Sequence, residues 1–166
     1  MSKEFALEIG PGPNPLIRYL RPEFFPVATS ETNFLLLELH PKWLVSFKNK
    51  GYLCEYNNSI IVGDGRLAPI KDESISLIFI KEVLGDIEQY DLLKSEIKRI
   101  CKPDGYLIIM ESVIPGNWHP VEQFFEDDGF VFLEGYKGSH SNRVFNDLNL
   151  NLSKDSFALV FQKEKI

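Results

Sequence analysis

At 166 residues the chain fits one domain and can bury a core, and its 44% content of apolar residues excludes a disordered protein. The 24 acidic residues outnumber the 18 basic ones, and the resulting net charge of −6 disfavours a broad phosphate-binding surface and therefore a nucleic-acid partner. We expect a single domain over residues 1–166.

The cysteines and the apolar runs restrict the class of protein further. Cys54 and Cys101 match no metal-binding spacing and no disulfide framework, which indicates two free thiols in a reducing compartment. The sequence shows no signal peptide, and its apolar runs are far shorter than the ~20 residues of a membrane helix. We therefore expect a cytoplasmic protein without a metal site or a membrane span.

The first predicted element is a buried strand from Phe5 to Ile9, which ends in a turn containing Gly10 and Gly12. A short helix is predicted to begin at Pro15. A strand, a glycine turn and a helix in this order form the nucleotide-binding unit of doubly wound sheets. The dinucleotide fingerprint G-x-G-x-x-G would place a glycine where Pro15 stands, which counts against a nicotinamide-dependent oxidoreductase.

Apolar runs and helical patterns then alternate along the chain. Four further strands are predicted at residues 34–39, 59–62, 76–80 and 106–110, and helices at residues 41–51, 87–101 and 120–127. Two last strands are predicted at residues 130–133 and 157–161, separated by a polar loop at Ser139–Lys154. This order predicts an α/β fold with a mostly parallel sheet and allows one antiparallel edge.

Charged side chains stand at the carboxyl ends of the predicted strands, where open parallel sheets bind ligands. They are Glu8, Glu38, Asp64, Lys81, Glu82 and Glu111. Acids at three successive strand ends exceed what a solvated surface requires. The sequence therefore predicts a ligand site at this edge.

Three of these acids each have two interpretations. Glu38 is placed to accept hydrogen bonds from both hydroxyls of a ribose, or it is a surface acid. Asp64, flanked by Gly63 and Gly65, can accept from an exocyclic amine such as that of adenine, or it can close an Asx turn. Glu8 can orient the glycine turn through backbone N–H groups, or it can pair with an amino group of a ligand.

The charge of this edge favours a particular ligand class. The glycine turn contains no lysine or arginine, and the surrounding acids would repel phosphates. A ligand with adenine, a ribose diol and a cationic tail fits the residues. S-adenosylmethionine has these parts, whereas a dinucleotide fits less well.

Three segments resemble, in order and spacing, the motifs of class I S-adenosylmethionine-dependent methyltransferases, most closely the small-molecule group often labelled type 11. Residues 7–14, L-E-I-G-P-G-P-N, are similar to E/D-x-G-x-G-x-G. Residues 63–78, G-D-G-R-L-A-P-I-K-D-E-S-I-S-L-I, are similar to G-D-A-x-x-L-P-F-x-D-x-S-F-D-x-I. Residues 96–109, E-I-K-R-I-C-K-P-D-G-Y-L-I-I, are similar to E-x-x-R-V-L-K-P-G-G-x-L-x-I.

The resemblance implies a three-layer Rossmann-like fold with a seven-stranded sheet whose last strand is antiparallel. It also implies eight residues that bind S-adenosylmethionine: Glu8, Gly10, Gly12 and Asn14 in the cofactor loop, Glu38 at the ribose, Asp64 and Gly65 at the adenine, and Lys81 at the methionine part. Asn14 stands where the family has its third glycine. About four residues precede the first strand, so we expect the family's N-terminal cap helices to be lacking. Either the site is then open, or a second copy of the chain, a partner subunit or the loop Ser139–Lys154 covers it.

The implied activity is methyl transfer to a small-molecule acceptor. A base is needed only if the acceptor must lose a proton, and Glu82, Asp86, Glu111 and His119 lie near the predicted strand ends. No spacing selects one of them, so no catalytic residue is assigned. An N/D-P-P-Y motif is absent from the sequence, which disfavours methylation of adenine or glutamine amino groups. The alternative is a non-catalytic subunit that binds S-adenosylmethionine within a methyltransferase complex.

Overall fold

A computed structural model describes residues 4–13, 15–16, 32–49, 58–84, 86–111, 119–137 and 157–165. These residues form the elements β1 (Phe5–Ile9), β2 (Asn33–Glu38), α1 (Pro41–Asn49), β3 (Asn58–Val62), β4 (Ile75–Lys81), α2 (Tyr90–Ile100), β5 (Cys101–Glu111), α3 (His119–Glu126), β6 (Phe130–Lys137) and β7 (Phe157–Lys163). Asn14, Cys54 and the predicted loop Ser139–Lys154 lie outside the described residues, as does most of the helix predicted after Pro15.

The described strands form one sheet in the order β3-β2-β1-β4-β5-β7-β6. β1 pairs in parallel with β2 and β4, and parallel pairing continues to β3 on one side and to β5 on the other. β7 lies between β5 and β6 and is antiparallel to both. The expected seven-stranded sheet with an antiparallel last strand is therefore confirmed. The strand order reverses between β1 and β4, which places a crevice at their carboxyl ends.

The central strands are apolar because both faces of the sheet are buried. In β4, every residue from Ile75 to Ile80 is buried. One face packs in a core cluster with apolar side chains of α2 and α3, among them Leu93, Ile97 and Phe125. The side chains that alternate with this face, such as Phe79, are buried as well. Burial of both faces is what a three-layer fold requires.

The structure differs from the predicted boundaries around α2. The helix begins at Tyr90 rather than residue 87, because Gln89 before it has a left-handed backbone with φ 66°. β5 begins at Cys101, although P-D-G at residues 103–105 was expected only to end the helix. Those residues form a bulge, since the register with β4 shifts between Ile75 and Leu77 and Asp104 has φ 61°.

The basic residues of α2 form ion pairs with other residues of the fold. Arg99 binds Glu96 bidentately, with N···O distances of 2.6 and 2.8 Å, and donates to the carbonyls of Ala68 (3.1 Å) and Ile70 (2.8 Å). Lys98 donates to Asp128 at 2.8 Å. Arg99 therefore ties α2 to the segment that leads from β3 to β4.

Candidate functional site

A cavity of about 610 Å³ opens at the carboxyl ends of β1, β2, β3 and β4. Its lining comes from the residues that follow these four parallel strands, together with the start of α1 and the segment before α2. The predicted site residues among them are Gly10, Gly12, Glu38, Asp64, Gly65 and Lys81. The fold thus brings six of the eight together around one space.

The glycine turn presents bare backbone to this cavity. Gly10 has φ 65°, and a Cβ there would lie 2.5 Å from Cγ2 of Val83. Both the backbone conformation and the contact with Val83 therefore disfavour any other residue at this position. Gly12 has φ 56°, and a Cβ there would meet nothing within 4 Å. The main chain at Gly12 therefore faces open space that a ligand can occupy.

Glu38 joins the end of β2 to this turn. Its side chain is buried, at 4% exposure. Its Oε2 accepts from the N–H of Gly12 (3.0 Å), and its Oε1 accepts from the N–H of His40 (2.8 Å). A carboxylate has about four acceptor positions, so each oxygen keeps one for a further donor.

Asp64 is held by a residue that the sequence interpretation did not select. Arg66 donates to Asp64 through Nη2 (2.6 Å), Nε (3.0 and 3.1 Å) and its backbone N–H (2.8 Å). The hydrogen bond from the Arg66 guanidinium, followed by that from its N–H, lowers the pKa of Asp64 from its usual value. Arg66 Nη1 also donates to the carbonyl of Glu88 (3.3 Å) and so spans one end of the cavity. The Asp-x-Arg spacing in the sequence was the available signal for this pair.

Glu8 lies beneath the turn and outside the cavity lining. It is buried, at 3% exposure, and its Oε1 accepts from the N–H of Leu16 at 2.7 Å. This geometry corresponds to the interpretation in which Glu8 orients the loop through backbone N–H groups.

The remaining candidates divide between the cavity and its surroundings. Lys81, Glu82 and Asp86 line the cavity, and Glu82 has a left-handed backbone with φ 52°. Glu111 is buried outside the lining. The side chain of His119 lies outside the described residues.

The cavity is acidic. Of the charged side chains that line it, Arg66 and Lys81 are basic, whereas five are acidic: Glu38, Asp64, Glu82, Asp86 and Glu88. Such a lining attracts a cationic ligand and repels phosphates. Among the described residues no group of three or more His, Cys, Asp or Glu side chains could hold a metal ion. None of the helices in the described part is long and apolar enough to cross a membrane.

The fold and the position of the cavity define a Rossmann-like protein of the class I methyltransferase type. A family model described as a methyltransferase domain matches residues 7–109, more than half of the chain, and the chain belongs to that family. A comparison with curated proteins found no match.

Solved structures of the same fold cover nearly the whole chain. A SAM-dependent methyltransferase from Aquifex aeolicus is 15% identical, with a TM-score of 0.72, over 97% of this chain and 84% of that one. A putative type 11 methyltransferase from Sulfolobus solfataricus is 19% identical, with a TM-score of 0.67, over 99% and 86%. A putative methyltransferase in complex with a methyltransferase activator from Haloferax volcanii is 16% identical, with a TM-score of 0.74, over 98% and 84%. At these identities the likeness shows the fold.

Proposed function

We propose that the protein transfers a methyl group from S-adenosylmethionine to a small-molecule acceptor. The observation that carries this proposal is the buried carboxylate of Glu38, which is hydrogen-bonded to the bare backbone of Gly12 at the edge of an acidic cavity. The family supports the reaction class. The cavity of about 610 Å³ is within the range of about 300–1,000 Å³ typical of small-ligand sites.

The residues present fit the cofactor. The two remaining acceptor positions of Glu38, one on each oxygen, match the two hydroxyls of a ribose diol. Each oxygen of Asp64 accepts two N–H contacts from Arg66, so the exocyclic amine of an adenine would bind Asp64 in place of a contact from the Arg66 guanidinium. Gly12 then leaves room for the ligand against the main chain, and Lys81 lies at the methionine end. Gly65 lets the chain beside the adenine pack closely on Ile9, since a Cβ there would lie 2.7 Å from Ile9 Cγ2. Glu8 holds the turn from behind through Leu16. We also propose Asn14 as a cofactor-binding residue, on the resemblance to the family's first motif alone.

The cofactor supplies an electrophilic methyl group, and the protein's residues bind and orient the reactants. Holding the acceptor in line with that methyl group lowers the barrier without covalent participation of a side chain. Glu82 and Asp86 are exposed acids on the cavity lining, so either can accept a proton from an acceptor that must lose one. The acidic lining favours a neutral or cationic small molecule as the acceptor.

Isothermal titration calorimetry with S-adenosylmethionine, S-adenosylhomocysteine and NAD tests the proposal. We expect binding of the first two ligands and none of NAD. Methyl release from S-adenosylmethionine in the presence of candidate acceptors then separates an enzyme from a non-catalytic subunit. Binding of NAD alone would refute the proposal, and binding without turnover on any acceptor would favour the alternative of a partner subunit.

We also propose that residues 1–166 act as one cytoplasmic domain and that a second copy or a partner subunit covers the cavity. The likeness to a putative methyltransferase whose structure was solved in complex with a methyltransferase activator supports a partner. Size-exclusion chromatography with light scattering, with and without S-adenosylhomocysteine, measures whether the chain dimerises. A monomer that turns over substrate without a partner would contradict this part of the proposal.

A further inference from the structure

Glu111, the last residue of β5, uses its side chain to hold the main chain that follows β4. Its Oε1 accepts two hydrogen bonds, from the N–H of Val83 at 2.9 Å and from the N–H of Leu84 at 2.8 Å. The side chain is buried, at 6% exposure, and lies outside the cavity lining. The contact therefore joins two neighbouring strand ends from behind the site.

Within the part of the chain that the structure describes, no strand ladder bond reaches Val83 or Leu84, the two residues that Glu111 holds. The last β4–β5 ladder bond at this end runs from the N–H of Glu82 to the carbonyl of Met110, at 2.8 Å. Glu82 then has φ 52°, the chain leaves the sheet, and the N–H of Asp86 closes a turn onto the carbonyl of Val83. The N–H groups at the start of such a turn need an acceptor, as they do in the first turn of a helix. Glu111 supplies it.

The segment that follows β4 forms the wall of the cavity next to the glycine turn. Val83 lines the cavity together with Glu82 and Asp86. The Val83 side chain packs so close to Gly10 that an added Cβ would lie 2.5 Å from its Cγ2. A shift of Val83 would therefore change the space at Gly10 directly.

We infer that Glu111 is a positioning residue for the cofactor cavity, acting through Val83 on the glycine turn. The part of this inference that concerns cofactor affinity rests on the proposed function. The part that concerns the local structure of residues 82–84 does not.

The geometry indicates that Glu111 positions residues 83–84 through the location of its acceptor oxygen, which depends on the length of the side chain and not on its charge. Burial, together with the nearby acids Glu82 and Asp86, raises the pKa of Glu111 and opposes its two backbone hydrogen bonds. Both N–H groups use the same oxygen, so an amide in place of the carboxylate keeps the acceptor at the same reach. An aspartate keeps the charge but is one methylene shorter.

The test compares Glu111→Gln with Glu111→Asp in the full chain, with the same two exchanges at the exposed Glu134 of β6 as controls. Hydrogen–deuterium exchange of the ligand-free protein measures the protection of Val83 and Leu84. Calorimetry with S-adenosylhomocysteine measures the dissociation constant. Thermal unfolding establishes that each variant is folded.

We expect Glu111→Gln to retain wild-type protection and to bind within about threefold of wild type, because its Oε1 is preserved. We expect Glu111→Asp to exchange at residues 83–84 at least about tenfold faster and to bind at least about tenfold more weakly, because two backbone N–H groups lose their acceptor. Wild-type exchange in Glu111→Asp, or equal loss in both variants, would overturn the inference. If wild type binds no S-adenosylhomocysteine, the proposed function fails and the exchange experiment still decides the role of Glu111.

Discussion

Replacing Glu38 by glutamine tests the site at its most constrained side chain. The carboxylate accepts one backbone N–H on each oxygen, from Gly12 at 3.0 Å and from His40 at 2.8 Å. Glutamine offers one acceptor and one donor group, so in either orientation its NH₂ meets a backbone N–H. A buried donor left without an acceptor costs about 1–3 kcal/mol. Because both bonds are only partly buried, we expect the free energy of unfolding to fall by about 1–2 kcal/mol.

The same exchange should reduce the free energy of cofactor binding by more than the contribution of one hydroxyl contact. The amide removes an acceptor for the ribose and also releases the turn at Gly12 or the chain at His40. A loss of about 1–3 kcal/mol corresponds to a dissociation constant about 5–150 times larger. Urea unfolding measures the first effect, and calorimetry with S-adenosylhomocysteine measures the second.

The matched control is Glu126→Gln, which changes an exposed acid of α3 outside the cavity lining. Neither quantity should change in this variant beyond about 0.5 kcal/mol, as is usual for surface substitutions. If Glu38→Gln bound S-adenosylhomocysteine as tightly as wild type and unfolded at the same urea concentration, Glu38 would not hold the turn or the ribose.

Three further predictions concern the framework of the site. Arg99→Lys loses the fork that binds Glu96 and the carbonyls of the β3–β4 segment, so urea unfolding should show a loss of about 1–3 kcal/mol. Lys163→Met removes a buried ammonium that donates to the carbonyls at the end of α2 at 2.8 and 2.9 Å, and it should cost about 2 kcal/mol in the same assay. The raised pKa of Glu111 means that the folded protein holds this proton at a higher pH than the unfolded chain does. The free energy of unfolding should therefore fall as pH rises from the usual glutamate pKa through the raised one, and Glu111→Gln should lack this decline; equal slopes would contradict the assignment.

The strands of the sheet were predictable because a local run of apolar residues encodes each of them. The apolar run of β1 gave the same bounds in the sequence and in the structure, Phe5–Ile9. Alternating apolar runs and helical patterns predicted the parallel strands, and the lack of a helix pattern before the last strand allowed one antiparallel edge. The antiparallel strand β7 lies inside the sheet instead, between β5 and β6. The glycine turn was visible as well, since Gly10 and Gly12 both adopt the positive φ that glycine permits.

The features that were missed depend on neighbours in space. P-D-G at residues 103–105 is a helix stop in the sequence, yet β4 lies alongside and accommodates it as a bulge. The ion pairs of Lys98 and Arg99 were not predicted, because their acids come from the turn after α3 and from the β3–β4 segment. The sequence marked Glu111 as one of the acids at the strand ends, but it did not show the contact with Val83 and Leu84, because these two N–H groups belong to the adjacent strand end.

The acids at the strand ends divide according to what their oxygens already bind. One oxygen of Glu111 accepts from two backbone N–H groups. Glu8 lies behind the turn and accepts from the N–H of Leu16. Glu38 and Asp64 also bind backbone N–H groups, yet they line the cavity. Glu38 keeps one acceptor position on each oxygen, whereas Arg66 contacts both oxygens of Asp64 twice. Glutamine should therefore be tolerated at Glu111, where one oxygen accepts both hydrogen bonds. It should be damaging at Glu38, where each of the two oxygens accepts from a different N–H group. This pair of glutamine variants distinguishes acids that shape the cavity from acids that bind its ligand, although all of them occupy equivalent places in the sequence pattern.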